Sequence, residues 1–78
     1  MVFQTLNRLK WEGKLGEAEI VILSRGSPQD RKIIPGGKVT EVKKTYFCYR
    51  EDDRETFIPN HRVLEIRMGG KELWKRKG

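Results

Sequence analysis

I-P-N-H-R-V-L-E-I-R-M-G-G-K-E-L-W, residues 58–74, carries the clearest fold signal in the chain. Pro59 fixes its own φ and restricts the residue before it, so the backbone bends there into a defined direction. From 62 to 68 the side chains alternate. Leu64, Ile66 and Met68 fall on one face, and Val63, Glu65 and Arg67 on the other. A period of two is the mark of a strand. Gly69-Gly70 is a two-residue hairpin signal, because glycine accepts the positive φ that primed turns need. Residues 71–75 form the return strand, with Leu73 on the face opposite Glu72 and Trp74.

Upstream, the same punctuation repeats. Residues 55–58 read as a short strand running into the Pro59 bend, and Glu51-Asp52-Asp53 as a charged hairpin turn. T-Y-F-C-Y-R, residues 45–50, is a strong aromatic strand with Phe47 and Tyr49 on one face and Tyr46 and Cys48 on the other. K-V-T-E-V-K, residues 38–43, is polar and belongs at an edge. Pro35-Gly36-Gly37 is a turn, residues 31–34 a short strand, and G-S-P-Q-D, residues 26–30, a loop. In E-A-E-I-V-I-L-S, residues 17–24, four apolar residues run without a break, which predicts a central strand covered on both sides. Val2, Phe3, Leu6 and Leu9 sit at helical spacing, so residues 2–10 read as a helix that Gly13 ends. Lys75-Arg76-Lys77-Gly78 reads as a frayed basic tail.

The sum is an α+β fold: one N-terminal helix packed on a bent, mostly antiparallel sheet, or on a partly open barrel, of about six short strands. One domain spans residues 1–78, with no repeat, linker or low-complexity segment evident.

Seventy-eight residues allow only a small core. The formal net charge is +6, which favours polyanionic partners such as nucleic acid over acidic proteins. The charge is uneven. Residues 60–78 hold six Lys/Arg against two Asp/Glu, net +4, and the first fifty-nine hold eleven against nine, net +2. Charged residues are 36% of the chain, with two Asn and two Gln, a balance that leans towards heat-adapted proteins. One cysteine, Cys48, excludes an internal disulfide and a cysteine-rich metal site. Without a signal peptide or a long apolar run, the chain reads as cytoplasmic and free of the membrane. No phosphate-binding glycine loop or cofactor motif is present.

His61 is the only imidazole, able to donate or accept a hydrogen bond near neutral pH. It suits either a packed strand start or a phosphate or ribose contact. Proton-transfer catalysis would need a second acid or base, and no other histidine exists, so no catalytic residue is assigned. Arg62, at a strand start, and Arg25, at a strand end, are the best anion ligands, since a guanidinium grips two phosphate oxygens at once. Asp30 closes the loop after the first strand, and Arg31, which opens the next strand, is a weaker anion ligand. Trp11, Tyr46, Tyr49, Phe57 and Trp74 could each offer a base-stacking face, with Tyr46 expected to be the most exposed and Phe47 and Trp74 expected in the core. Cys48 reads as a small buried hydrophobe.

These residues resemble the RNA cyclic group end recognition domain, a small family found mainly in archaea. The likeness runs through L-N-R-L-K-W (residues 6–11), S-R-G-S-P-Q-D-R-K (24–32), I-P-N-H-R-V-L-E-I-R (58–67) and the following G-G-K-E-L-W-K-R. It is most specific in the Ile-Pro-x-His-Arg core. The resemblance implies a non-catalytic module that recognises RNA ends, 2′,3′-cyclic phosphates among them. His61 and Arg62 would correspond to the family's His-Arg, and Arg25 and Asp30 to its first loop. Similar domains are fused to RNA-end processing enzymes. This chain begins at the helix and stands alone, so such an enzyme is expected as a separate partner.

Three functions compete: an RNA-binding module, a small cyclic phosphodiesterase or nuclease using His61, and a protein-interaction module. A steep fall of RNA affinity with salt separates the first from the third. Turnover of a cyclic nucleotide, lost in His61→Ala, would select the second.

Overall fold

Helix α1 (Val2–Trp11) forms because Val2, Leu6 and Leu9 stack on one side and bury there. Its end is closed by a Schellman motif: Lys14 N–H donates to Leu9 O at 2.9 Å, Gly13 N–H to Lys10 O at 3.2 Å, and Gly13 takes φ +70°. The computed structural model describes residues 2–76. It contains seven strands in two antiparallel sheets. One sheet holds β1 (Ala18–Leu23), β2 (Arg31–Pro35), β6 (Val63–Met68) and β7 (Lys71–Lys75), in the order β2-β1-β6-β7. The other holds β3 (Val39–Val42), β4 (Tyr46–Glu51) and β5 (Arg54–Pro59), in the order β3-β4-β5. The sheets are not closed into a barrel. α1 touches β3 of one sheet and β7 of the other. Leu6, Ile20, Ile34, Phe47, Val63 and Ile66, all at most 1% exposed, form the core between these layers.

Two short 3₁₀ turns carry the chain from one sheet to the other. Gly36–Lys38 joins β2 to β3, and Asn60–Arg62 joins β5 to β6. The turns share geometry: Pro35 lies at φ −62°, ψ 131° and Pro59 at φ −61°, ψ 139°, and each exits into an extended valine. Their sequences share it too. I-P-G-G-K-V-T-E-V-K (34–43) and I-P-N-H-R-V-L-E-I-R (58–67) agree in Ile, Pro, a cation, Val, Glu, an aliphatic and a second cation. Each copy carries a register shift at the same place, after Val39 and after Val63, leaving Thr40 and Leu64 as the extra residues. A repeat is therefore present, although its spacing is too short and its charged residues too variable to stand out by composition. It organises the fold as two quasi-equivalent halves. β1-β2 and β4-β5 are hairpins, and each half passes its third strand across: β3 pairs with β4, and β6 with β1.

The bulge at Leu64 corrects the alternation read over 62–68. Val63 and Ile66 are both fully buried, while Leu64 and Met68 are only half-buried. β1 is central, but only its Ala18-Ile20-Ile22 face meets the core cluster. On the other face Val21 is buried at 3% exposure while Glu19 is exposed and Leu23 is 44% exposed, so the expected second cover is partial. Both primed hairpin turns are present, with Gly69 and Gly70 at φ +58° and +83° and Asp52 and Asp53 at +50° and +63°. Lys75 ends β7, and Arg76 is tied back by its N–H to Leu64 O at 2.9 Å, so the expected tail is ordered at its first two positions. Lys77 and Gly78 lie outside the described residues.

Candidate functional site

The turn 60–62 is held from two directions. On one side, Asn60 N–H donates to Thr45 O at 2.9 Å, and its side-chain amide donates to Lys44 O at 3.0 Å and Lys43 O at 3.3 Å. On the other, Arg76 donates through Nε to Val63 O at 3.2 Å and through Nη2 to His61 O. The main chain of His61 and Arg62 is thus fixed by backbone and guanidinium contacts, and both side chains are exposed. The reading of His61 as a packed histidine does not hold. Arg62 lies in the 3₁₀ turn and not at the start of β6.

Arg25 sits in a second constrained loop. Ser24 N–H donates to Asp30 O at 2.8 Å, Asp30 N–H to Ser27 O at 2.8 Å, and the Ser24 and Ser27 hydroxyls meet at 3.1 Å. Gly26, Gln29 and Asp30 all adopt positive φ, at +89°, 59° and 55°. For Gln29 and Asp30 that conformation is uncommon, and the closed ring of hydrogen bonds holds it. Arg25 follows β1 by two residues and does not end it.

Both loops open on one cleft of about 690 Å³ at the mouth between the sheets. Ile22, Ile58 and Tyr49 supply its apolar wall. Ser24, Arg25, Lys32, His61 and Arg62 supply its polar rim. Of the six residues singled out from sequence, the cleft gathers His61, Arg62 and Arg25. It does not gather the other three. Arg31 lies on the outer face of the four-stranded sheet, beside Ile33, Glu65 and Arg67. Asp30 serves its loop through backbone bonds. Tyr46 is half-buried beneath Phe57, the ring centroids 4.7 Å apart, and Phe57 is the more exposed of the pair at 58%. Phe47 is core as expected, while Trp74 is half-buried against the core.

Tyr49, one of the aromatic residues weighed as a stacking face, lines the cleft, and Lys32 is a functional candidate that the sequence reading passed over. Lys32 Nζ donates to the Tyr49 hydroxyl at 3.3 Å and lies 3.2 Å from Glu51 Oε2, linking β2 to β4 across the cleft. The hydrogen bond to Tyr49, and then that to Glu51, hold the lysine pKa above its usual range, so the ammonium stays charged. Lysine at an alternate position of a short strand carries no local signal, and only the pairing of halves brings it to His61. None of the described lining residues is a carboxylate. Three cations and an imidazole around a partly apolar floor can grip a phosphate group and pack the sugar or base attached to it.

Fold and cleft together define a small α+β domain with a basic mouth between two sheets. The chain belongs to the MJ1316 RNA cyclic group end recognition domain family, whose sequence model matches residues 2–76. Among its relatives is a UPF0248 protein of Methanocaldococcus jannaschii, 38% identical over 81 residues, with 99% of this chain and 95% of the relative covered. A UPF0248 protein of Pyrobaculum islandicum is 37% identical over 76 residues, covering 96% and 88%. One of Metallosphaera sedula is 39% identical over 72 residues, covering 91% and 86%. No solved structure matches the chain. Among the described residues, no helix is long and apolar enough to cross a membrane, and no group of His, Cys, Asp and Glu could hold a metal ion.

Proposed function

We propose that this protein is a non-catalytic RNA-binding module whose cleft takes the processed 3′ end of an RNA, with a 2′,3′-cyclic phosphate as the preferred group. The observation that carries the reading is the convergence of Arg25, Lys32, Arg62 and His61 on one cleft whose described lining has no carboxylate. The family's name points the same way. A cyclic phosphodiester carries one negative charge and a terminal monoester nearly two at neutral pH, so charge alone favours the linear end. Preference for the ring must come from placed donors. An arginine fork takes the two free oxygens, and the His61 imidazole hydrogen-bonds a ring or ribose oxygen. Because both loops are already braced, little freedom is lost on binding. A separate cytoplasmic RNA-processing enzyme is the partner this implies.

The test is the affinity of one short RNA ending in 3′-hydroxyl, 3′-phosphate or 2′,3′-cyclic phosphate. His61→Ala should cost about 1–3 kcal/mol for the cyclic end and much less for the hydroxyl end. Arg62→Lys should weaken it too, since lysine keeps the charge and loses the fork. Equal losses for all three ends would remove the basis for end recognition. One observation favours a second reading, hydrolysis of the cyclic end: Lys32 and Tyr49 line the cleft with His61 and offer the second proton-transfer group that the sequence reading lacked. Turnover of a 2′,3′-cyclic nucleotide that His61→Ala abolishes would select it.

A further inference from the structure

His61 lines two cavities, not one. Beyond it from the basic cleft lies a smaller hollow of about 260 Å³, bordered by Phe3 of α1, Lys44, Trp74 of β7 and Arg76. The two differ in chemistry. The larger has three cations around its rim. The smaller has two aromatic side chains, one exposed lysine, and a guanidinium already committed to the carbonyls of His61 and Val63. Phe3 and Trp74 are each half-buried and present ring surface to the hollow, and Trp74 is packed against the core behind it.

We infer that this hollow is a second subsite, which takes the nucleotide preceding the terminal one, and that the unit of recognition is a dinucleotide end. The inference rests on the cleft being the terminal-group site. Given that, the direction of the strand follows from chemistry. The charged terminal group belongs among the three cations. The hollow next to it suits a nucleobase, because bases stack on aromatic faces whatever their identity. The phosphodiester linking the two nucleotides then passes His61, and Lys44, which also lines the hollow, is available to the next phosphate. Arg76 contributes a fixed positive charge to the lining of the hollow. Stacking on an aromatic face does not read base identity, so the second nucleotide adds more affinity than base selectivity.

The experiment compares a nucleoside 2′,3′-cyclic phosphate with dinucleotides and trinucleotides carrying the same end, by calorimetry on the full chain. The dinucleotide should bind at least about tenfold tighter than the mononucleotide, with little dependence on its first base. The trinucleotide should exceed the dinucleotide only by the electrostatic contact to Lys44. Lys44→Ala should erase that last gain and leave mononucleotide affinity unchanged. Its side chain is exposed and its carbonyl bond to Asn60 survives the substitution. In a Trp11→Phe background, where Trp74 is the only tryptophan, the dinucleotide should quench indole emission and the mononucleotide should not. Mononucleotide and dinucleotide of equal affinity, with Trp74 silent, would overturn the second subsite and leave the terminal-group reading standing. If no cyclic end of any length binds, the terminal-group reading fails and the subsite fails with it.

Discussion

Arg76 shows how far a side chain's role can depart from its composition. By sequence it is one cation in a basic tail, interchangeable with Lys75. In the fold its guanidinium spans the carbonyls of His61 and Val63 and braces the turn that presents the His-Arg pair. The two neighbours should therefore behave differently. Lys75→Ala removes an exposed charge and should weaken all RNA ends alike. Arg76→Met should cost about 1–2 kcal/mol more for the cyclic end than for a 3′-hydroxyl end, because it loosens placed donors. Fluorescence anisotropy with the two RNAs measures that difference, and a uniform loss in Arg76→Met would return the residue to the tail. Lys32 gives a second residue-scale expectation. Its folded pKa lies above its unfolded one, chiefly through the Tyr49 hydroxyl and then Glu51. Its contacts thus stabilise the fold fully below the ordinary lysine value of 10.5, and the contribution fades as pH rises through the raised value. The side chains are 39% exposed, so the effect is small. Lys32→Met should melt slightly below the parent at neutral pH, and the gap should close in strongly alkaline buffer. A gap that widens with pH would contradict the assignment.

The two 3₁₀ turns carry the same backbone and different chemistry. In the first half, Gly36 packs so closely on the preceding loop that an added Cβ would lie 1.9 Å from Leu15 O and 2.9 Å from Ala18 O. In the second half, Asn60 stands at that position and bonds the preceding loop instead, which leaves His61 and Arg62 free to face the cleft. One copy is spent on packing and the other on the site. Gly36→Ala must displace backbone and should cost more than the 1–3 kcal/mol typical of an overpacked core. Gly16→Ala is the control, since its Cβ meets nothing within 4 Å and its φ is not positive. It should be neutral, or stabilise by a few tenths of a kcal/mol. Urea denaturation of both variants reads the contrast, and equal midpoints would mean the close approach of the two loops is misplaced. The strands and hairpin turns were legible because period-two patterns and Gly-Gly or Asp-Asp pairs act locally. The bulges at Thr40 and Leu64 were not, since nothing in T-E-V or L-E-I marks an extra residue until a partner strand fixes the register.

At the scale of the molecule, the cleft exists because the halves exchange strands. β6, which crosses from the second half to pair with β1, brings the turn 60–62 beside the loop after β1. Arg25 and Arg62 are thirty-seven positions apart in sequence, so their meeting depends on that exchange. The arginine and histidine could be chosen from sequence on chemical grounds, because forked cations and imidazoles are rare enough to weigh singly. The meeting of Lys32 with Tyr49 could not be foreseen, because seventeen positions and a change of sheet separate them. Arg31 and Tyr46 were adjacent to real features in sequence but point to outer faces, the usual hazard of a strand whose side chains alternate. The most direct measurement of the central claim is a titration of isotope-labelled protein with a dinucleotide ending in 2′,3′-cyclic phosphate, followed by amide chemical shifts. Saturable shifts at Ser24, Arg25, Lys32, His61 and Arg62, on elements from both halves moving on a single isotherm, are the predicted result. Shifts concentrated on the outer face at Arg31, Glu65 and Arg67, with the cleft residues unmoved, would contradict it.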